Sequence, residues 1–242
     1  MLYNQASTPA EIMICAMSRL VKDGMTVFHG VSSHMPMLAL MLARQTHAKN
    51  AVHLNIPGGV DPEQIRVSDY TSAGGELTRD NRALFPLAEV FDLSMRGGLD
   101  LAFFSGVQFD VNGNMNASVI GDYDHPKVRL PGGAGCAVLI PTVKSAVLWR
   151  TKHDARTFVE QVDFVTTRGN IDYIVSPLCV FKMRNGKLTL YSVHPHTTFA
   201  EVQANTGFEL SQNGVTQTPP PTAEEMRVLN EIDPQRIRDI EF

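Results

Sequence analysis

The sequence predicts an α/β fold, an open and mostly parallel sheet with helices on its faces, and three observations lead to it. A helix signal, a short apolar strand, a second helix and another strand follow one another between Thr8 and Ile56. Two further apolar runs, Leu99–Phe104 and Ser145–Trp149, have the length of buried strands. With 242 residues and 43% hydrophobic content, the chain is long enough to cover such a sheet with helices, and one large domain is the simplest organisation.

The first helix carries its own start signal. Thr8 and Glu11 have the spacing of a capping box, and Pro9 suits the first helical position because it needs no hydrogen-bond acceptor there. An apolar face follows, and Asp23 with Gly24 is expected to end the segment.

A strand, a turn and a helix come next. The pattern predicts a strand over Met25–Phe28, a helix over Met37–Gln45 and a second strand over Ala51–Ile56. In parallel sheets of this kind ligands bind beyond the carboxyl ends of the strands. The loops at residues 30–33 and 56–59 are therefore expected to line the mouth of a site.

The second half of the chain is richer in strands. The Leu99–Phe104 strand leads to a turn at residues 111–114, and the Ser145–Trp149 strand leads to a predicted helix over Ala155–Val162. A hairpin is predicted over residues 178–193 with Asn185 and Gly186 in its turn. After it, a capping box at Thr198 and Glu201 predicts a short helix that Gly207 ends.

The last segment has a different composition. Three prolines at 219–221 predict a stiff extended stretch, Thr222 and Glu225 cap one more helix, and Asp233 with Pro234 is expected to begin another. We divide the chain into an α/β domain over residues 1–215 and a proline-led helical arm over residues 216–242. Such an arm seldom folds alone, so it is expected to lie on the domain or on a partner subunit.

Composition excludes several classes of function. A net charge of -4 and a pI near 6.0, with scattered basic residues, offer no basic surface for nucleic acid, so any anionic ligand must be held locally. No apolar run approaches the ~20 residues that span a bilayer, and the start lacks a signal peptide's pattern, which favours a cytoplasmic protein.

Cys15, Cys136 and Cys179 are odd in number and lie among apolar residues, which favours packed thiols over disulfides. The histidines lack the company of a zinc or iron motif, so no metal is expected.

A glycine turn is the main candidate for chemistry. Residues 131–135 read PGGAG and follow an extended segment, so the N–H groups of Gly132, Gly133 and Gly135 could stabilise negative charge on a ligand oxygen. Around the predicted mouth, small residues and uncharged amides suit the binding of a carbonyl or an amide-bearing ligand. The predicted substrate-binding residues are Gly30, Ser32, Asn55, Ile56, Gly106, Gln108 and Asn116.

The segment RGGLDLAFFSGVQFDVNGNMNASVIGDYDHP, the turn PGGAG and the closing pattern VFKMRNGKLTLYSVHPHTTFAEVQANTGFEL together resemble the β subunits of class I coenzyme A transferases, the glutaconate type most closely. The resemblance covers roughly residues 25–210. It implies the fold predicted above, a backbone-amide loop at residues 131–135 and a homologous α subunit, in an α2β2 heterotetramer. It also implies that coenzyme A arrives as part of the substrate, with no permanently bound cofactor.

One departure from this family changes the expected reaction. The resemblance places a glutamate nucleophile at the end of the second strand, where this chain has Ile56 followed by Pro57. Glu76 lies about twenty residues too far along the chain to replace it, and we interpret it as a surface residue.

A chain that lacks this nucleophile and carries such an arm resembles the β subunits of the ring-cleaving hydrolases of steroid-degrading bacteria. That resemblance implies hydrolytic carbon–carbon cleavage of a cyclohexenone carboxyl-CoA in cholesterol ring degradation, with the general base on the α subunit. An ordinary CoA-transferase subunit acting on a dicarboxylic or 3-oxo acid remains open. So does a noncatalytic partner of an active α subunit.

Overall fold

A computed structural model of the chain describes residues 7–62 and 74–242, which form the predicted α/β fold around one large sheet. The helices of this described part lie close to the capping signals. They are α1 (Pro9–Ser18), α2 (His34–Gln45), α3 (Leu87–Met95), α4 (Cys136–Thr142), α5 (Phe199–Ala204) and α6 (Ala223–Ile232), with short 3-10 turns at Gly75–Thr78 and Ile237–Asp239.

The strands match the predicted apolar runs to within a few residues. They are β1 (Thr26–His29), β2 (Val52–Asn55), β3 (Gly59–Pro62), β4 (Asn81–Leu84), β5 (Leu101–Ser105), β6 (Gln108–Asp110), β7 (Met115–Asn116), β8 (Val119–Gly121), β9 (Pro126–Arg129), β10 (Ser145–Trp149), β11 (Phe158–Val159), β12 (Ile171–Val175), β13 (Cys179–Arg184), β14 (Lys187–Val193) and β15 (Thr216–Gln217).

The main sheet has the strand order β15-β14-β13-β12-β10-β5-β1-β2-β3-β4. Its five central strands, from β12 to β2, run parallel, and antiparallel strands continue it on both sides. Two smaller sheets, β11-β6-β7 and β8-β9, are built from the residues between β5 and β12.

Alternate residues of the central strands enter two separate cores, as the period of two in a strand requires. Val27 and Phe103 pack with α1, α2 and α6 on one face, whereas Phe28 and Phe104 pack with α3 and α4 on the other. This two-sided burial explains why these strands read as continuous apolar runs rather than as alternating ones.

Three capping predictions and the hairpin are confirmed, with one difference. Both halves of the capping box form at α1 and at α6. At α5 only Thr198 caps the helix, because the Glu201 carboxylate accepts from the Thr197 hydroxyl instead. The hairpin turn has φ values of 51° at Asn185 and 74° at Gly186, the conformation that the Asn-Gly pair favours.

The predicted helix over Ala155–Val162 is wrong. The Asp154 carboxylate accepts hydrogen bonds from the backbone N–H groups of Arg156 and Thr157, which turns the chain at the start of the segment. Phe158 then pairs with Phe109 in the register of β11 and β6 and packs in the core. A local turn and a strand pairing therefore outweigh the weak helical spacing.

Two helix starts also differ from the prediction. Helix α2 begins at His34 rather than Met37, since Pro36 is tolerated in a first turn, where its missing N–H would have no acceptor. The helix expected from Asp233 is a 3-10 turn that begins at Ile237, because the Asp233 carboxylate accepts from the Ile237 N–H at 2.7 Å.

The proline-led arm lies on the α/β domain. The Arg19 guanidinium donates to the Pro219 and Pro220 carbonyls and to the Glu225 carboxylate. Further along, the fully buried Arg238 contacts Asp233 at 3.0 Å and Glu11 at 3.3 Å. Helix α6 packs beside α2 in the same core.

Candidate functional site

The candidate site lies where the chain reverses its direction across the sheet. From β1 the chain passes through α2 to β2, and from β5 it passes through α4 to β10 on the other side. The two crossovers lie on opposite faces, so the loops leaving the adjacent strands β1 and β5 diverge and leave a crevice at their carboxyl ends.

A cavity of about 410 Å³ lies in this crevice. We call this cavity the switch-point cleft, because it lies where the chain reverses its direction across the sheet. Its walls come from the loop after β1, the ends of β5 and β10, and the arm. They are Val31, Ser32, His34, Ser105, Trp149, Arg150, Thr151, Ile240 and Glu241. Ser32 of the loop at residues 30–33 lines this cavity, whereas none of residues 56–59 does, and substrate binding by Ser32 stays a prediction. Ser32 has φ of 48°, a left-handed conformation that a serine rarely adopts outside a constrained loop.

Gly30 opens this loop, and open space surrounds the position that a Cβ would occupy there. Below it, His29 and His53 form a buried pair with 2.9 Å between their Nε2 atoms, while His29 Nδ1 faces the Gly30 carbonyl at 3.3 Å. Burial lowers the pKa of His29 to about 4 and that of His53 well below its usual value. Both rings are therefore neutral near pH 7, and one N–H lies between them.

The predicted glycine turn connects β9 to α4. Gly132 has φ of 87°, which favours glycine, and its N–H donates to the Ala117 carbonyl at 2.8 Å. That donor is therefore already used. The N–H groups of Gly133, Ala134 and Gly135 have no acceptor among the described residues, so these three remain available to a ligand.

Packing also explains two of these glycines. A Cβ on Gly133 would lie 2.9 Å from Ala137 Cβ and 3.0 Å from Thr166 Cγ2, and one on Gly135 would lie 3.3 Å from the Phe91 ring. Cys136 follows, and its thiol donates to the Gly133 carbonyl at 2.7 Å. Burial raises the pKa of this thiol to about 11, so it is a packed thiol rather than a nucleophile.

The predicted amides beyond β5 stabilise the protein itself. The Asn116 side chain donates to Gln108 Oε1 at 2.7 Å and to the Val119 carbonyl at 2.6 Å, and both amides are buried. A Cβ on Gly106 would lie 2.6 Å from Met115. Any contribution of Gly106, Gln108 and Asn116 to ligand binding stays a prediction, and their visible role is to hold the loop that carries Ala117.

The end of β2 is closed by its own hydrogen bonds. Asn55 donates to the Leu77 carbonyl and accepts from the Gly59 N–H, so its amide holds the β2–β3 turn. Ile56 packs against the core that α3 and α4 cover. Glu76 lies in the 3-10 turn beside Leu77, partly exposed, with its carboxylate over Gly74.

Sequence reasoning missed His34, Trp149 and Arg150, which line the switch-point cleft. One signal could have found Arg150, a charged residue directly after the buried strand Ser145–Trp149 and so at the carboxyl edge. In the sequence His34 merely flanks the loop at residues 30–33, and Trp149 ends a predicted strand.

A second cavity, of about 390 Å³, lies beside β3 and β4 and is rich in cations. Arg44, Lys49 and Arg82 line it, and Asp61 forms an ion pair with Arg44 at 3.3 Å.

In residues 7–62 and 74–242, no group of three or more His, Cys, Asp or Glu side chains is placed to hold a metal ion. No helix in this part combines the length and apolar composition needed to cross a membrane.

Comparison with known proteins places these features in a family context. The coenzyme A transferase family profile matches residues 10–205. The chain is 31% identical to one subunit of the 3-oxoadipate CoA-transferase of Pseudomonas knackmussii over 92% of each sequence.

Two solved structures share the fold over nearly the whole chain. The decarboxylase AibA/AibB is 30% identical with a TM-score of 0.91, covering 97% of this chain and 98% of that one. IpdAB of Rhodococcus jostii RHA1, 22% identical, has a TM-score of 0.82 over 98% of this chain and 99% of that one.

Proposed function

The chain belongs to the coenzyme A transferase family, and on that premise we propose that it is the β subunit of a heteromeric enzyme that cleaves a carbon–carbon bond in a CoA thioester. The preferred reaction is hydrolytic opening of a cyclic β-keto thioester, such as the cyclohexenone carboxyl-CoA of steroid ring degradation. Coenzyme A is then part of the substrate, and a cytoplasmic location stays a prediction.

A single observation carries the proposal, namely that an isoleucine, Ile56, directly follows β2. A carboxylate there could attack a thioester carbonyl and trap the acyl group, whereas Ile56 offers no nucleophile and packs into the core. Asn55 beside it is held by Leu77 and Gly59, so it cannot take the role without losing those bonds.

The reaction that remains needs no acyl-enzyme. A general base removes a proton from water as the oxygen adds to the ring ketone. The bond between that carbon and the thioester α-carbon then breaks, leaving a carboxylate and a thioester enolate, which takes up a proton at the α-carbon. The free N–H groups of Gly133, Ala134 and Gly135 are suited to stabilise the enolate oxygen.

The comparisons support carbon–carbon cleavage in general terms. The AibA/AibB structure, 30% identical, is of a decarboxylase, and loss of CO₂ next to an activated thioester also leaves negative charge that amide donors can stabilise. Decarboxylation is therefore the second candidate. The 31% identity to a subunit of a 3-oxoadipate CoA-transferase supports CoA transfer as the alternative, although Ile56 offers no nucleophile for that reaction.

The base for water is expected from a homologous α subunit. Glu241 in the wall of the switch-point cleft contacts His34 at 3.4 Å, the buried histidine pair is neutral and enclosed, and Glu76 lies in the 3-10 turn beside β3 and β4. The relatives are named as subunits of two-component proteins, which supports an α/β complex, with α2β2 as the expected stoichiometry. A noncatalytic role for this chain is the remaining alternative.

The test uses this chain coexpressed with a homologous α subunit. The complex is incubated with 2-oxocyclohexanecarboxyl-CoA in water enriched in oxygen-18. Ring opening adds one water to the thioester and places one heavy oxygen in the new carboxyl group, which mass spectrometry detects. This ester has no free carboxylate to lose, so decarboxylation is tested in a parallel reaction with malonyl-CoA, in which it would release CO₂ and leave acetyl-CoA, and a deuterated free acid reveals CoA transfer.

This chain purified alone is the matched control, and it should be inactive toward the same ester. Exchange of CoA into the deuterated acid, with no heavy oxygen in any product, would reject the proposal in favour of a conventional transferase. Full activity of the α homologue without this chain would favour the noncatalytic role.

A further inference from the structure

Three residues that line the switch-point cleft carry nitrogen atoms without a hydrogen-bond partner. Trp149 Nε1, Arg150 Nε and His34 Nε2 are buried, and none of them has a hydrogen-bond partner. Trp149 is 3% exposed and His34 7% exposed, so solvent reaches them poorly. Buried polar atoms without partners are uncommon and costly, and three around one cavity indicate that a polar ligand completes them.

The Arg150 guanidinium of the cleft also lacks a bonded partner. The Arg150 side chain forms no ion pair or hydrogen bond with any described residue, although it is partly buried. A guanidinium is always charged and offers several donors in a fork that matches a carboxylate. The chemistry that satisfies this wall is therefore a planar anion.

One carboxylate already occupies the edge of the cleft. Glu241 lies on its rim, with Oε1 at 3.4 Å from His34 Nδ1, a distance at the long end of a hydrogen bond. Its side chain is 19% exposed. Glu241 thus contacts His34 and not Arg150. It lies at the edge of the cleft and leaves the Arg150 guanidinium without a partner.

The remaining walls suit a hydrocarbon. Val31 and Ile240 are 61% and 54% exposed, and Trp149 is a third apolar residue of the lining. The volume of about 410 Å³ lies within the range of small-molecule sites. Ser32, Ser105 and Thr151 add hydroxyl groups.

We propose that the switch-point cleft binds an organic carboxylate with an apolar body, held by Arg150 and His34, and that Glu241 of the arm is a competing internal carboxylate. This inference is independent of which bond the complex cleaves, since binding needs neither the glycine turn nor Ile56.

Binding of cyclohexanecarboxylate to the full chain, measured by isothermal titration calorimetry, tests the site. Cyclohexanecarboxamide has the same shape without the charge and should bind at least about tenfold more weakly. Arg150→Gln should raise the Kd of the acid by about tenfold or more, the loss expected for a charge-assisted hydrogen bond. Arg156→Gln is the matched control, because Arg156 is 84% exposed and pairs with Asp154 outside the cleft, and it should leave the Kd unchanged.

Glu241→Gln should tighten binding severalfold, since it weakens the internal competitor and increases the fraction of open clefts. This variant alters a rim residue, so it remains informative even if Arg150→Gln proves unstable. Equal binding of acid and amide, no binding of the acid to either the unmodified chain or Glu241→Gln, or an unchanged Kd in Glu241→Gln would each overturn the proposal.

Discussion

Ile56 shows how one side chain can change the chemistry open to a fold. It lies one residue past β2 and packs with the core of the α3 and α4 face, so its position is set by apolar contacts. A glutamate at that place would have to leave this packing to reach a substrate. The reactions compatible with Ile56 are those that form no covalent acyl-enzyme.

We predict that this chain stays unmodified during turnover. The complex is incubated with a CoA ester and trapped with borohydride or hydroxylamine, and mass spectrometry should find no altered peptide in this chain. A modified Glu76 that disappears in Glu76→Gln would contradict the prediction and restore a transferase mechanism.

Gly133 provides a second test at the scale of one residue. Gly133→Ala would place its Cβ 2.9 Å from Ala137 Cβ, so the turn must shift and its N–H groups change direction. We expect kcat of the complex to fall by about 10²-fold, the usual loss for a displaced oxyanion donor. A valine would also overlap Thr166, so alanine separates chemistry from packing more cleanly.

Gly30→Ala is the control for stability, because open space surrounds that position, and its melting temperature should match that of the unmodified chain. A folded Gly133→Ala complex with normal kcat would show that the glycine turn has no catalytic role.

At the scale of elements, the arm depends on one buried cation. Arg238 is fully buried between Asp233, Glu11 and Asn230, and it joins the 3-10 turn to α1 and α6. Removing a cation from such a cluster leaves carboxylates buried without their partner. We expect Arg238→Met to lower the free energy of unfolding by about 3 to 5 kcal/mol.

Urea denaturation measures this loss, and Arg227→Met is its control. Arg227 pairs with Glu231 at 2.7 Å, but the two side chains are 60% and 56% exposed. Exposed pairs of this kind contribute less than about 1 kcal/mol. Equal stability of the two variants would show that the buried cluster does not hold the arm.

Elements with strong local signals could be predicted from the sequence, and elements that depend on distant contacts could not. The capping boxes of α1 and α6 and the Asn185 turn are local, and each was found. The segment over 155–162 became β11 because Phe158 pairs with β6, nearly fifty residues earlier, which no local pattern records.

The candidate site divides in the same way. The placement of Gly30 and Ser32 at the carboxyl end of a parallel strand followed from the alternation of strands and helices, whereas the approach of Arg150, His34 and Glu241 required the folded chain. The amides of Gln108 and Asn116 were attractive as polar side chains. Their hydrogen bonds to one another and to Val119 could not be read from spacing.

At the scale of the whole molecule, buried histidines predict how stability depends on pH. Burial lowers the pKa of His29 and His194 to about 4 and that of His153 to about 3 from a usual 6.5, and that of His53 also falls. In the unfolded chain these rings take up protons below pH 6.5, whereas the folded chain does not. The free energy of unfolding should therefore fall as pH drops from about 6.5 toward 4, by up to about 1.4 kcal/mol per pH unit for each histidine.

Urea denaturation at pH 7, 6 and 5 measures this slope. His194→Gln removes one titrating ring, so its slope should be shallower whatever its stability at pH 7. A free energy of unfolding that stays constant from pH 7 to pH 5 would contradict the assignment of neutral rings to the folded chain.

The ion cluster around Arg238 also bears on how the chain folds during synthesis. Glu11 leaves the ribosome early, while its partner Arg238 is made 227 positions later. Until then, α1 would have to bury a carboxylate without that cation, so its docking is disfavoured although the strands beside it are already complete. A nascent chain stopped before residue 238 should thus keep α1 accessible to chaperones, and emergence of the segment around Arg238 becomes the event that closes this face of the sheet.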